Sequence, residues 1–449
     1  MNFSGAIIDR SLLLLLAALI AILAYVVLRR SAKLAVTVWV LTICFVPVWI
    51  GVGIGFSGSL FLPLASVTAV LVVAALLPAA RLRIDLADGL VLLLLVVSVA
   101  ALLTGNRPIA LDFLATFAIY YLVGYLLGRL APSRVDVEWI YGVIAVVFTI
   151  VALLGIVEFL SGVNFFVEWK SNNSLFTAWS SIQERGGFKR AEGAFGHSIA
   201  FGASLALAIP LTLASRFRFW IRGSMVLVML TATALTFSRI GIVGALLGLV
   251  LSVLFLRDAM SVRMRVVAII VGTVAVLSFS PLVGVVFTGA GDEATISASY
   301  RGDLISLVPD MNVIGVSDIA HRGPGGQIYF GDFQSIDSQL VLTGLSSGLL
   351  IVIAVLIALI AAIALVLTRR ASAPTIAVVA QIPAFATAAM ITQYAILVWF
   401  VIGLAVATQI AARKHTASDI AAGLEFRPTI MRTSRRSPHK RADPVPTTL

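Results

Sequence analysis

Charge is what this chain has least of. Asp, Glu, Lys and Arg together make up 12% of its 449 residues, about half the share in an ordinary soluble domain. Cysteine is nearly absent too. The single Cys44 excludes an internal disulfide and any cysteine-based metal site, and its place inside an apolar run reads as that of a small core hydrophobe. No Asp-x-Asp pair stands in the polar connections expected on the outer side, and no His/Asp cluster has ligand spacing, so no metal and no cofactor is expected. Hydropathy that alternates from residue to residue is also missing, which excludes a membrane β-barrel. The net charge of +11 resides mostly in short connections and a C-terminal tail, so nucleic acid is not an expected partner.

What is abundant is apolar sequence: 60% of residues are hydrophobic and the mean hydropathy is +1.07. Runs of about 20 apolar residues match the thickness of a bilayer, where only helices or closed barrels satisfy their own backbone. The expected class is therefore an all-α polytopic membrane protein. The candidate spans are 7–28, 34–52, 60–79, 89–103, 113–127, 139–160, 199–215, 220–237, 240–256, 266–287, 339–367, 376–391 and 394–411, giving 12 or 13 transmembrane helices. The first run lacks the basic start and small-residue cleavage site of a signal peptide.

The distribution of lysine and arginine sets an orientation. With Arg29, Arg30 and Lys33 placed inside, every alternate connection is basic: Arg81 and Arg83; Arg129 and Arg134; Arg216, Arg218 and Arg222; Arg257, Arg263 and Arg265; Arg369 and Arg370; Arg413 and Lys414. With the tail, 23 of the 32 Lys and Arg residues lie on the cytoplasmic side. The nine exceptions are Arg10, Arg107, Lys170, Arg185, Lys189, Arg190, Arg239, Arg301 and Arg322. Six of them fall in two outer loops, 161–196 and 289–338, and a concentration of guanidiniums there points to an anionic ligand at the membrane surface.

Two domains are expected: a transmembrane domain over 1–415 and a basic, disordered cytoplasmic tail over 416–449. The tail either lies on anionic headgroups or is inert. The loop 289–338 is about fifty polar, glycine-rich residues, longer than unstructured loops usually are unless they are functional.

Three segments carry candidate chemistry. In Arg190-Ala-Glu-Gly-Ala-Phe-Gly-His197, two glycines permit close backbone approach and a helix follows at once, which makes an anion site or an interfacial cap. In Ser238-Arg239-Ile-Gly241, an arginine sits between two apolar runs, so it points into the bundle or snorkels to the headgroups. The third comprises Tyr300-Arg301 and Asp337-Ser338 near the two ends of the long loop, where Asp337 either acts chemically or caps a helix.

Taken together, Arg-x-x-Gly-x-Phe-Gly-His, then Ser-Arg-x-Gly between two spans, then Tyr-Arg ahead of a large outer loop, and a polar residue eleven positions before the glycine of a leucine-rich helix resemble the bacterial O-antigen ligase and polysaccharide polymerase superfamily. The resemblance covers about residues 157–367. It implies a polytopic inner-membrane glycosyltransferase, independent of metal, that moves glycan from undecaprenyl diphosphate to a sugar hydroxyl outside the cytoplasm. Ligases of that superfamily carry His, often His-Asn, where this chain has Asp337-Ser338, so the resemblance favours a polymerase over transfer to lipid A core.

Independently of the name, transfer from a diphosphate carrier requires donors aimed at a leaving group that gains charge. Arg190, Arg239 and Arg301, with Lys189 beside them, are the expected diphosphate-binding set. Asp337 is the first candidate base, His197 the second and Glu192 the third. Expected partners are an undecaprenyl-diphosphate-linked oligosaccharide, a glycan acceptor, membrane lipid, and a chain-length regulator and flippase. A secondary transporter or flippase for lipid-linked sugar, and a peptidoglycan polymerase, are the rival readings.

Overall fold

The computed structural model describes residues 18–54, 60–79, 84–104, 106–256, 260–291, 299–300, 302–324 and 326–425. The chain is an all-α polytopic membrane protein. Its helices are α1 (18–30), α2 (Ala32–Phe45), α3 (Leu64–Leu76), α4 (Leu86–Ala100), α5 (Arg107–Thr116), α6 (Val123–Leu130), α7 (Val137–Ser161), α8 (Ser174–Trp179), α9 (Ser198–Leu213), α10 (Phe219–Leu235), α11 (Arg239–Phe255) and α12 (Val262–Gly289). After the long loop come α13 (Gln339–Ser347), α14 (Leu349–Leu367), α15 (Ala373–Ala380), α16 (Ile382–Thr387) and α17 (Thr392–Glu425). Among the described residues, six helical stretches are long and apolar enough to cross a membrane, and another six apolar helices are shorter.

The centre of the bundle is α9, which is buried along almost its whole length and packs against α7, α10, α11 and α15. Small residues set how closely its neighbours approach. A Cβ at Gly241 would come within 3.0 Å of the Gly202 backbone, Gly244 faces Ala206, and Gly248 faces Pro210. The pairings advance together along both helices, so α9 and α11 run parallel with their N-termini side by side. The same device joins α6 to α17. Gly124 and Gly128 meet Ile396 and Phe400, with a Cβ at Gly128 falling 2.0 Å from the Phe400 carbonyl oxygen. This is the small-xxx-small packing of membrane helices, where close backbone contact replaces the hydrophobic drive that lipid cannot supply.

Three expected segments end earlier than their hydropathy indicates or are interrupted. The run 34–52 is helical to Phe45 and then enters a hairpin of β1 (Gly51–Ile54) and β2 (Leu60–Pro63), with Gly51 paired to Pro63. The run 339–367 breaks at Gly348, whose φ of +100° is open to glycine. The run 376–391 is interrupted between α15 and α16 and ends at Ala388, where Thr392 (φ +50°) then starts α17. Hydropathy averaged over a run does not register these breaks, because the residues around them are mostly apolar or small and a lone Gln381 does not outweigh its neighbours.

The loop 289–338 is not an unstructured excursion. Its described part holds a 3-10 turn over Leu304–Asp310 and a hairpin of β5 (Ala320–Arg322) and β6 (Ile328–Phe330). Leu304, Leu307, Met311, Val316, Phe330 and Ile336 bury themselves with Ile109 and Ala110 of α5 and Leu345 of α13. Arg322 pairs with Asp112, and Asn106 donates to the Ala320 carbonyl at 2.7 Å. A folded cap therefore sits on α5. The chain divides into compact units Met1–Gln409 and Ile410–Leu449. Helix α17 reaches Glu425, inside the segment expected to be disordered, and 426–449 lies outside the described residues.

Candidate functional site

Helices α10 and α11 are joined by only Thr236, Phe237 and Ser238. Such a tight reversal leaves the last carbonyls of α10 without helical partners. Phe237 takes φ +45°, rare for a side-chain-bearing residue, and is held there by its ring packing on Phe159 and Phe188. Ser238 caps α11, accepting from Gly241 N at 3.1 Å. These carbonyls are met by guanidiniums from the connection ahead of α9. Arg190 Nε donates to Thr236 O at 2.8 Å and Arg185 Nη1 to Phe237 O at 2.9 Å. A cation suits the negative end of a helix dipole.

The arginines do more than close a helix. Arg239, exposed at the first position of α11, lies 4.4 Å above the Phe287 ring near the end of α12, and Arg185 lies 5.6 Å from the same ring. Arg185 is brought there by a two-residue hairpin, β3 (Glu184–Arg185) and β4 (Phe188–Lys189), whose turn Gly186-Gly187 packs so tightly on Val286 that a Cβ at Gly186 would fall 2.5 Å from that carbonyl. Three arginines thus gather at one junction beside the paired N-termini of α9 and α11, all of them sources of positive potential. Lys189, on the same hairpin, is exposed and donates to Gly162 O at 3.2 Å.

The glycine-rich connection is held from beneath by two buried carboxylates. Glu158 accepts from Gly193 N at 2.8 Å, Glu192 N at 3.1 Å and Asn164 Nδ2 at 2.9 Å. Glu192, 1% exposed, accepts from Gln183 N at 3.0 Å. Burial pushes the Glu192 carboxyl up to about 8, with the Glu158 charge adding to the shift and the Gln183 bond and Arg190 opposing it. Gln183 also receives Arg190 Nη1 and Ser198 Oγ through its side-chain oxygen, at 3.2 and 2.9 Å. Gly193 and Gly196 both take positive φ, and at Gly196 a Cβ would strike Trp49 and the Trp179 carbonyl.

His197 ends this connection as the N-cap of α9. Its Nδ1 accepts from Ile199 N at 3.1 Å and its ring meets Trp179 edge-on. Burial first, and then the Arg190 charge, push it down to about 4. The lone pair a base would use is occupied by the cap, and the proton belongs on Nε2.

Asp337 stands in a different element. Its carboxylate accepts from Ser335 Oγ at 2.9 Å, while Tyr300 at the other end of the loop donates to the Ser335 carbonyl and packs on Phe333. The two ends of the loop therefore meet. The expected capping role falls to the next residue, because Ser338 Oγ accepts from Val341 N at 3.3 Å and Ser338 is the N-cap of α13. Gln339 anchors that helix. Its N–H donates to Ala388 O at 3.0 Å, its side-chain oxygen receives Met390 N at 2.8 Å, and its amide nitrogen reaches Tyr121 in a π-helical turn at 3.4 Å.

The structure thus brings Arg190, Arg239 and Lys189 to one region with His197 and Glu192, and sets Asp337 in a second. Helix α16 links the regions, since α11 and α13 both pack against it. Arg301 lies outside the described residues. Among the described residues, no group of three or more His, Cys, Asp or Glu is placed to hold a metal ion. Sequence reasoning counted Arg185 among the misplaced cations without assigning it a role, although the Gly186-Gly187 pair beside it signals a hairpin. Phe287 and Gln339 gave no such signal. Comparison with protein-family models, curated proteins and solved structures finds no match.

Proposed function

We propose that the protein is a membrane glycosyltransferase of the polysaccharide-polymerase type, akin to the O-antigen ligase superfamily. It takes glycan from an undecaprenyl-diphosphate carrier at the outer face of a bacterial inner membrane and keeps its C-terminal tail in the cytoplasm. The observation that carries this reading is the convergence of Arg185, Arg190 and Arg239 on the α10–α11 junction, with two of them over one aromatic ring. Positive residues are disfavoured on the outer side of a membrane protein, and three in one place fit a dianionic group.

In the transfer, the bond between the sugar anomeric carbon and the diphosphate oxygen breaks, and the acceptor hydroxyl oxygen forms the new bond to that carbon. The diphosphate leaves with the electron pair and gains charge, which Arg239 and Arg185 stabilise from fixed positions. Arg190, bonded to Thr236 and Gln183, holds the junction in shape. Asp337, on a helix pinned by Gln339, takes the hydroxyl proton. His197 serves as the cap of α9. Arg301 is assigned to the diphosphate set on the sequence alone. Flippase and chain-length-regulating proteins act with it.

One observation favours a second reading, a transporter for lipid-linked sugar. The chain is interrupted between α15 and α17, and the buried side chains of Gln381, Thr392 and Gln393 each have a polar atom there with no hydrogen-bond partner; broken helices of this kind line transport sites. Full-length protein reconstituted in vesicles with a labelled lipid-linked oligosaccharide separates the two. A ladder of longer lipid-linked glycans, unchanged by added lipid A core, is the expected product. Label that crosses the bilayer without being lengthened overturns the enzyme in favour of the transporter.

A further inference from the structure

The segment 388–393, which runs from the end of α16 into the first turn of α17, is bonded to both regions of the candidate site. At one end Gln339, two residues past Asp337, donates its N–H to Ala388 O at 3.0 Å and receives Met390 N on its side-chain oxygen at 2.8 Å. At the other end Gln393, 1% exposed, donates from one Nε2 to Val46 O and to Ala194 O, both at 2.8 Å. Carbonyls only accept, so these two fix which way the amide points. Ala194 lies in the glycine-rich connection four residues beyond Arg190, and Arg190 is bonded to Thr236, three residues before Arg239. Two glutamine side chains and a few residues of backbone thus join the candidate base to the arginine junction.

The backbone between them is constrained. Ala388 is extended, at φ −147° and ψ 150°, and Thr392 takes φ +50° although its β-branched side chain disfavours that region. A glycine would reach the same angle at no steric cost. Strain of this kind persists where the surroundings over-determine it, and it gathers at functional sites. Here the bonds of Gln339 and Gln393 bracket the strained residue.

We propose that the segment 388–393 is a spacer that sets the distance between Asp337 and the arginine junction, with Gln339 and Gln393 as its positioning residues. The inference rests on the reading of Asp337 as the base and of the arginines as the diphosphate donors. The contacts that seat Arg185 and Arg239, to Phe237 and Phe287, belong to other elements. Loosening the spacer therefore leaves carrier binding intact and displaces the base from the acceptor hydroxyl. A misplacement of about 1 Å costs on the order of a hundredfold in rate.

The test compares the full chain with Gln393→Leu and Gln339→Leu, which remove the side-chain amide bonds at opposite ends and keep the bulk. Gln339→Leu retains its backbone bond to Ala388, so it tests the spacer even where Gln393→Leu does not fold. In the first arm, spin labels at Glu184→Cys and Gln334→Cys, both exposed, report the separation of the two regions; the native Cys44 is buried and stays unlabelled. Labels at Thr177→Cys and Glu184→Cys, within one region, are the control. A single narrow distance that broadens or shifts in the glutamine variants, with the control pair unchanged, is expected. In the second arm, turnover of a labelled undecaprenyl-diphosphate oligosaccharide is expected to fall about a hundredfold in kcat with KM for the carrier unchanged. In an Asp337→Asn background the glutamine substitutions are expected to add nothing. A distance already broad in wild type or unmoved by the variants, equal broadening of the control pair, a loss that appears in KM, or an additive loss without Asp337 overturns the spacer. The distance arm needs no turnover. A narrow distance that the variants broaden, in a protein that lengthens no glycan, sinks the enzymatic reading alone, whereas lengthening with unmoved distances sinks the spacer alone.

Discussion

Arg190 donates through Nε to the carbonyl oxygen of Thr236 at 2.8 Å, which ties the glycine-rich connection ahead of α9 to the end of α10. The same guanidinium reaches Gln183, so one side chain fixes both the connection and the junction that carries Arg239. Arg190→Ala is expected to cost about 1.5–3 kcal/mol of stability, the range for hydrogen bonds to a charged group. Arg190→Lys restores charge and not the forked geometry, so it recovers little of that loss. Thermal unfolding of the two variants in detergent checks this, and equal stability of wild type and Arg190→Ala would contradict it.

Glycine positions give a sharper contrast. Gly128→Val places a side chain against the Phe400 backbone, with its Cβ 2.0 Å from the carbonyl oxygen, and is expected to part α6 from α17. At Gly284, within α12, an added Cβ meets nothing within 4 Å. Gly284→Ala is therefore expected to be neutral or to stabilise by up to about 1 kcal/mol through helix propensity. Yield of monodisperse protein and melting temperature read both.

The pH dependence of stability should show the buried carboxyl. Glu192 is raised to about 8 in the folded chain, from an ordinary value near 4.5. The folded state therefore holds a proton that the unfolded state releases, and stability falls as pH rises through that window. His197 acts oppositely, being held at about 4, so its contribution is lost as pH falls from about 6.5 to 4. Between pH 6.5 and 8 the Glu192 slope stands clear of the His197 one. Glu192→Gln is expected to flatten the decline in melting temperature across this interval; an unchanged slope would show that Glu192 is ionised throughout.

Asp337 and Ser338 are adjacent, yet their substitutions should behave differently. Ser338→Ala removes the α13 cap and is expected to cost about 1 kcal/mol while leaving turnover intact. Asp337→Asn is expected to keep the melting temperature and to reduce transfer about a hundredfold or more, as loss of a general base does. Rates and melting curves measured on both variants decide the assignment, and full activity of Asp337→Asn would remove Asp337 from the chemistry.

Much of the fold is legible in the chain because apolar run length is a direct readout of membrane thickness. Every span expected beyond residue 30 contains a helix. The expected orientation singles out Arg185, Arg190 and Arg239 as exceptions, and the structure gathers these three at the α10–α11 junction. What stays hidden is anything set by contact between distant segments. Phe287 becomes a seat for two guanidiniums only when α12 meets the 184–189 hairpin. His197 looks like a base until its Nδ1 is seen to cap α9, and the cap of α13 shifts one residue, from Asp337 to Ser338. The breaks at Gly348 and Ala388 escape hydropathy because backbone dihedrals and the Gln339 bonds make them.

The most direct measurement compares wild type with Arg239→Ala, Arg239→Lys and Arg185→Ala, each purified full length and given a labelled undecaprenyl-diphosphate oligosaccharide, with product length read on a gel. Wild type is expected to build a ladder. Arg239→Ala and Arg185→Ala are expected to shorten or abolish it, by the roughly 10²–10³ in rate that loss of one preorganised donor costs, and Arg239→Lys to restore part of it. An unchanged ladder in both alanine variants, at wild-type expression and melting temperature, would contradict the arginine site at the α10–α11 junction.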